Sequence, residues 1–171
     1  MVDPEVQRHR VTRIIAATRF PFVDQPETSW PNCYETIVND EENRFGLLSP
    51  WGEVVYPSVV ILNCDGGVQE LGMVERAEDV NETRAKLWQF LSDSASVGRK
   101  YKKLFIYVPH GLEDKALKIL EGNEIEYDGL RGYGVVDGWL KIYPIRPMTA
   151  PTTTGSVVCP LKVIKKYGQA L

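Results

Sequence analysis

The sequence predicts a single α/β domain in which a mixed β-sheet is flanked by helices, and three observations carry that prediction. Two uninterrupted apolar runs, Val59-Val60-Ile61-Leu62 and Leu104-Phe105-Ile106-Tyr107-Val108, have the length and composition of strands covered on both faces. Segments with apolar residues at helical spacing lie before, between and after them. The chain has 171 residues, 43% of them apolar, which is enough to bury one core without disulfide or metal staples.

Asp3-Pro4 starts the first helix, because Asp caps free backbone N–H groups and Pro tolerates the first helical position. It is expected to run to about Thr18, with Val11, Ile14 and Ile15 on one face and Arg8, His9, Arg10 and Arg13 on the polar surface, and to stop at Phe20-Pro21. Phe22 to Asn32 reads as a Pro-rich loop. Short strands are expected at Tyr34 to Val38 and Arg44 to Leu48, separated by the acidic turn Asn39-Asp40-Glu41-Glu42.

Pro57 to Cys64 is the expected central strand. Gly66-Gly67 can take the positive φ angles of a tight hairpin, so Val68 to Arg76 returns antiparallel. With those glycines as the loop, Asp65 faces Val68 and Ser58 faces Glu75. Alternation then places Gln69, Leu71, Met73 and Glu75 on one face, with Glu70, Val74 and Arg76 on the other. Asp79 and Glu82 read as a capping pair for a helix from about Val80 to Ser96, stopped by Gly98. Leu104 to Val108 is a buried strand ended by Pro109, and Leu112 to Leu120 is a helix closed by Gly122-Asn123. Ile125 to Leu130 and Val135 to Ile145 are further strand candidates. The core is set at 1–145, with 146–171 as linker and tail. Pro144 to Ser156 reads as irregular, and the apolar tail beyond it suits a strand on this subunit or, in a homo-oligomer, on a neighbour.

Lys plus Arg number 20 against 23 Asp plus Glu, a net charge of −3, so any nucleic-acid surface must be local. Cys33, Cys64 and Cys159 are odd in number, widely spaced and without a CxxC pair. They read as reduced thiols, Cys64 within the core, rather than as a disulfide framework or zinc site. No apolar run approaches the ~20 residues that span a bilayer, and Met1-Val2-Asp3-Pro4-Glu5 lacks the basic-then-apolar order of a secretory signal. The expectation is a cytoplasmic protein without membrane association.

Tyr56-Pro57-Ser58-Val59-Val60-Ile61, Gly66-Gly67-Val68, Leu71-Gly72-Met73-Val74-Glu75-Arg76, Trp88 and Tyr107-Val108-Pro109 follow one another in the order strand, turn, strand, helix, strand. In these residues, over about Pro4 to Leu130, the chain resembles the PD-(D/E)xK, or restriction-endonuclease-like, superfamily, and within it prokaryotic members with a degenerate motif. The resemblance implies a restriction-endonuclease-like mixed sheet and a site for Mg²⁺-dependent phosphodiester cleavage. There, carboxylates converge on a hard cation that activates water and stabilises developing charge. The family's first acid follows Pro at the start of the central strand, and its second lies on the returning strand two residues before a Lys. Ser58, Met73 and Glu75 stand at those three positions. A thioether is a soft, weak ligand that cannot replace a carboxylate for Mg²⁺.

The resemblance therefore implies a catalytically degenerate member, with Ser58, Met73 and Glu75 at the site positions and Lys86 of the second helix as a candidate cation. Were it active, Mg²⁺ would rest on Glu75 and on Glu5 from the first helix, with no other cofactor. The expected role is binding of nucleic acid or of a protein partner. The alternatives are a Mg²⁺-dependent nuclease with relocated acids and a structural or immunity-like interaction protein.

The densest basic cluster, Arg99, Lys100, Lys102 and Lys103 around Tyr101, is a candidate nucleic-acid contact, although such a run is more often a solvated turn. Trp30 with Trp51, and Trp139 with Tyr143, suit base stacking or packing. His110 reads as a helix-start loop residue. Gly132-Tyr133-Gly134 lacks the strand-to-helix crossing of a phosphate loop.

Overall fold

The structure, a computed structural model, describes residues 3–17, 32–95 and 104–147, with side chains as far as Tyr143. Helix α1, Pro4–Ala17, begins where Asp3 Oδ1 accepts the Glu5 N–H at 2.8 Å, and it buries Val11 and Ile15. Strands β1 (Glu35–Val38), β2 (Leu47–Leu48), β3 (Val54–Val55), β4 (Val59–Leu62) and β5 (Val68–Val74) follow. Next come α2 (Ala85–Ser94), β6 (Leu104–Pro109), α3 (Glu113–Gly122), β7 (Gly129–Val136) and β8 (Trp139–Pro147).

Six strands form one mixed, curled sheet in the order β1-β4-β5-β6-β7-β8, while β2 and β3 pair as a separate ribbon. The β5, β6 and β7 strands run parallel, and the remaining neighbours run antiparallel. This follows from the connections: α2 and α3 are crossovers between parallel strands, whereas short turns join β4 to β5 and β7 to β8, and the segment carrying β2 and β3 joins β1 to β4. Every residue of β4 is buried, since β1 and β5 cover its edges and an apolar cluster lies on each face. Val60, Leu71 and Met73 face α2 and α3; Val59, Ile61 and Val74 face α1.

Several expected details are corrected. The loop between β4 and β5 extends over Asn63 to Gly67, where Asn63 Oδ1 accepts the N–H groups of Asp65 and Gly67, each at 2.9 Å. With a register shift at Ile61/Leu62, Val59 pairs with Gly72, so Ser58 falls opposite Met73 rather than Glu75. The second helix starts later than expected, after two 3₁₀ turns, Ala77–Asp79 and Glu82–Arg84. Asn81, not Asp79, caps the second of these, because Asp79 is turned toward Arg76. The strand expected at Ile125 to Leu130 begins only at Gly129. Val135 to Ile145 is two strands, joined by an Asp137-Gly138 hairpin with positive φ at both residues, and β8 carries the fold through the first residues of the expected linker. The tail beyond Pro147 lies outside the described residues.

The thiol reading is also corrected: Cys33 and Cys64 are joined in a disulfide, their Cα atoms 5.0 Å apart, and both residues are exposed. Glu35 lies opposite Leu62 in the antiparallel β1–β4 pair, so two steps further along each strand these cysteines meet. Their proximity depends on which strand flanks β4, and cysteine spacing carries no information about that. Among the described residues no helix is long and apolar enough to cross a membrane.

Candidate functional site

The end of β5 is where the fold assembles its most polar buried cluster. Glu75 extends the parallel pairing by donating its N–H to Tyr107 O at 2.8 Å, and its own carbonyl accepts the Tyr133 hydroxyl at 2.6 Å. Both β6 and β7 thus fix its backbone. Its side chain, 1% exposed, points toward α2. There Arg84 grips both carboxylate oxygens, with Nη2 at 2.9 Å from Oε1 and Nε bonded to Oε2, while Trp88 Nε1 reaches Oε2 at 3.1 Å. Arg84 and Trp88 share a face because they are four residues apart across the start of α2.

Burial raises the Glu75 carboxyl above its ordinary value, with the Arg84 and Trp88 hydrogen bonds pulling against that rise. Burial also acts to lower Arg84, but the hydrogen bond and charge of Glu75 outweigh it and hold the guanidinium protonated. Burial, then the negative charge of Glu75, raises the Tyr133 phenol, which remains a donor.

Ser58 is fully buried. Its Oγ accepts the Val74 N–H at 2.9 Å and lies 3.8 Å from Met73 Sδ, so the hydroxyl prolongs the β4–β5 pairing beyond Val59. On the opposite face Arg76 bonds Asp79 at 2.9 Å and reaches Glu78 at 2.8 Å and Glu5 at 3.4 Å. Glu5 also pairs with Arg8 at 2.5 Å and with the His9 ring at 3.0 Å, and the Arg8 hydrogen bond lowers its carboxyl below the usual range.

These groups surround a cleft of about 270 Å³ between α1 and the start of α2. Met73, Val74 and Glu75 form its base, Glu5, Arg8, Arg76, Asp79 and Arg84 its walls, and Tyr56 its rim. Met73, Glu75 and Glu5 all line this cleft, with Ser58 beside Met73. Lys86 is not: its Nζ lies over the Trp51 ring, 4.3 Å from the centroid, and it does not line the cleft. Arg99, Lys100, Lys102 and Lys103 lie outside the described residues. So does Trp30, while Trp51 packs edge-on to Phe90 and Tyr143 stacks on His110 rather than on Trp139. His110 Nδ1 contacts Glu113 Oε1 at 2.5 Å, an interaction local to the start of α3.

The residues at the implied metal position do not fit Mg²⁺. One is a hydroxyl committed to a backbone N–H, one is a thioether, and the third is a carboxylate whose two oxygens are occupied by Arg84 and Trp88. Among the described residues no group of three or more His, Cys, Asp or Glu side chains is placed to hold a metal ion. The sequence reading missed Arg8, Arg76 and Arg84 as the cations of the cleft. The i, i+4 relation of Arg84 to Trp88 was the available signal. What the arrangement can do chemically is donate guanidinium N–H groups to an anion, since Arg8, Arg76 and Arg84 remain 17%, 33% and 25% exposed while Glu75 lies beneath them.

Comparison of the chain with models of known families, with curated proteins and with solved structures finds no match.

Proposed function

We propose that this chain is a restriction-endonuclease-like domain that has lost metal-dependent chemistry and binds nucleic acid through the cleft at the end of β5. The observation carrying this reading is the state of Glu75: the one acid at the motif positions is sealed by Arg84 and Trp88 instead of being presented to a cation. A guanidinium in place of a metal still offers positive charge to a phosphate, but it supplies no activated water. The cleft offers a phosphate the N–H groups of three arginines, for which it competes with Glu5, Glu75 and Asp79 in the same lining.

The test is fluorescence anisotropy with labelled single- and double-stranded oligonucleotides in the presence of a chelator, followed by a cleavage assay in Mg²⁺. Binding that weakens with salt and with Arg8→Gln or Arg76→Gln, together with intact oligonucleotides after Mg²⁺ addition, is the expected result. Mg²⁺-dependent cleavage abolished by Glu75→Ala or Glu5→Ala in folded protein would establish relocated acids instead. Absence of oligonucleotide binding at low salt would point to a protein partner.

A further inference from the structure

We propose that the Cys33–Cys64 disulfide is a reversible redox clamp that fastens the edge strand β1 to the sheet, so that reduction frees one end of β1 while the remainder of the fold persists. The two ends of β1 are held by different means. At its far end Asn39 forms a hub: its N–H donates to Ser58 O at 3.0 Å, its Nδ2 donates to Phe45 O and Pro57 O at 2.7 Å each, and its Oδ1 accepts from the Arg44 and Phe45 N–H groups at 2.7 and 2.9 Å. Arg13 of α1 adds ion pairs to Asp40 and Glu41 beside it.

Among the described residues the near end adds to the bridge chiefly the half-buried Tyr34, which packs against the α1-side cluster. Glu35 and Thr36 are exposed, and Ile37 is the one residue of β1 in the buried core. Four residues of backbone pairing on an edge, with one core side chain, are weak retention without a covalent tie. The tie is accessible, since both cysteines are exposed. Beneath it, β4 keeps its pairing with β5 and its packing on both faces, so opening the bridge removes no central contact.

Opening is a two-electron reduction. One thiolate of a dithiol reductant attacks a bridge sulfur, the Cys33–Cys64 bond breaks and the displaced thiolate takes up a proton. The second reductant thiolate then resolves the mixed disulfide, leaving two protein thiols and a cyclic oxidised reductant. Detachment begins at Cys33 and stops at the Asn39 hub. It uncovers the edge of β4 near Leu62, while the Ser58 end beside the cleft stays in place. An exposed strand edge presents free N–H and C=O groups to an incoming strand, so the redox state governs access to that edge. This inference is independent of whether the cleft binds nucleic acid.

The test uses the full chain carrying Cys159→Ser, so that the bridge cysteines are the only two that remain of the three in the sequence. Thiol titration of the denatured protein is expected to find none in the oxidised form and both after dithiol treatment. On reduction, amide hydrogen exchange over Glu35–Val38 is expected to quicken by about tenfold or more, while β6 keeps its protection and reoxidation restores the original rates. The Cys33→Ser, Cys64→Ser double variant should match the reduced form without any reductant. Free thiols in the oxidised form, unchanged exchange in β1, or acceleration spread equally through β6 would each overturn the clamp.

Discussion

Glu75 shows how much a single side chain can decide. With both oxygens bound to Arg84 and Trp88, it anchors α2 to the end of β5, and truncation would leave Arg84 without its counter-charge and a buried indole N–H without an acceptor. Glu75→Ala is therefore expected to cost about 3–5 kcal/mol in denaturant unfolding. Ser58→Ala, which deprives the buried Val74 N–H of its acceptor, should cost about 1–3 kcal/mol. The pH dependence has a definite sign. Because burial raises Glu75, its contribution is fully present below pH 4.5 and is lost as pH rises through the folded-state value. Glu5, lowered chiefly by its Arg8 hydrogen bond, and Asp40, where burial is outweighed by the Arg13 hydrogen bond and charge together with backbone hydrogen bonds, act oppositely and lose their stabilisation on acidification. Unfolding midpoints of Glu75→Gln measured against the parent should accordingly improve as pH rises above 4.5, and a falling difference would contradict the direction given for Glu75. The position of Glu75 was legible from the strand pattern. Its partner Arg84 was signalled only by its i, i+4 relation to Trp88, because two 3₁₀ turns intervene and their path sets which side chain faces β5.

Among the elements, those written in continuous apolar runs or bounded by Asp-Pro and Gly-Asn were read correctly, since burial and capping act locally in sequence. β4, β6, α1 and α3 belong to this group. The β7–β8 hairpin was missed although Asp137-Gly138 is a strong turn signal, because the apolar residues on either side were joined into one strand. Asp137 and Gly138 have φ of 52° and 79°, so Gly138→Ala should destabilise by about 1–2 kcal/mol by forcing a side chain into left-handed backbone. Gly132 has a different constraint. A Cβ there would lie 2.0 Å from Glu113 Oε1, and that carboxylate is buried and bonded to His110 and the Gly111 N–H. Gly132→Ala should consequently cost about 1–3 kcal/mol through displacement of the start of α3, measurable by chemical denaturation. Equal stability of this variant and the parent would mean that Glu113 swings aside without loss.

At the scale of the whole molecule, the sheet divides two apolar clusters, α1 on one side and α2 with α3 on the other, and β4, β5 and β6 pass between them. Hydrogen exchange should be slowest in those three strands and fastest in the β2–β3 ribbon, which pairs only with itself and exposes Leu48 and Val54. The general α/β class could be read from the sequence, whereas the sheet's edges could not, because long-range neighbours and bulges leave no local pattern. The cleft was half legible for the same reason: β5 and the residue pair after it supplied the base and Arg76 in sequence order, but α1 brings Arg8 from far along the chain and the 3₁₀ turns before α2 bring Arg84 back. The contact of Trp88 with Glu75 gives this cleft an intrinsic optical reporter. A fully buried indole whose N–H ends on a carboxylate emits toward the blue and responds to the field of nearby charges, so in a variant with Trp30, Trp51 and Trp139 changed to Phe the emission of Trp88 alone would register an anion drawing Arg84 away.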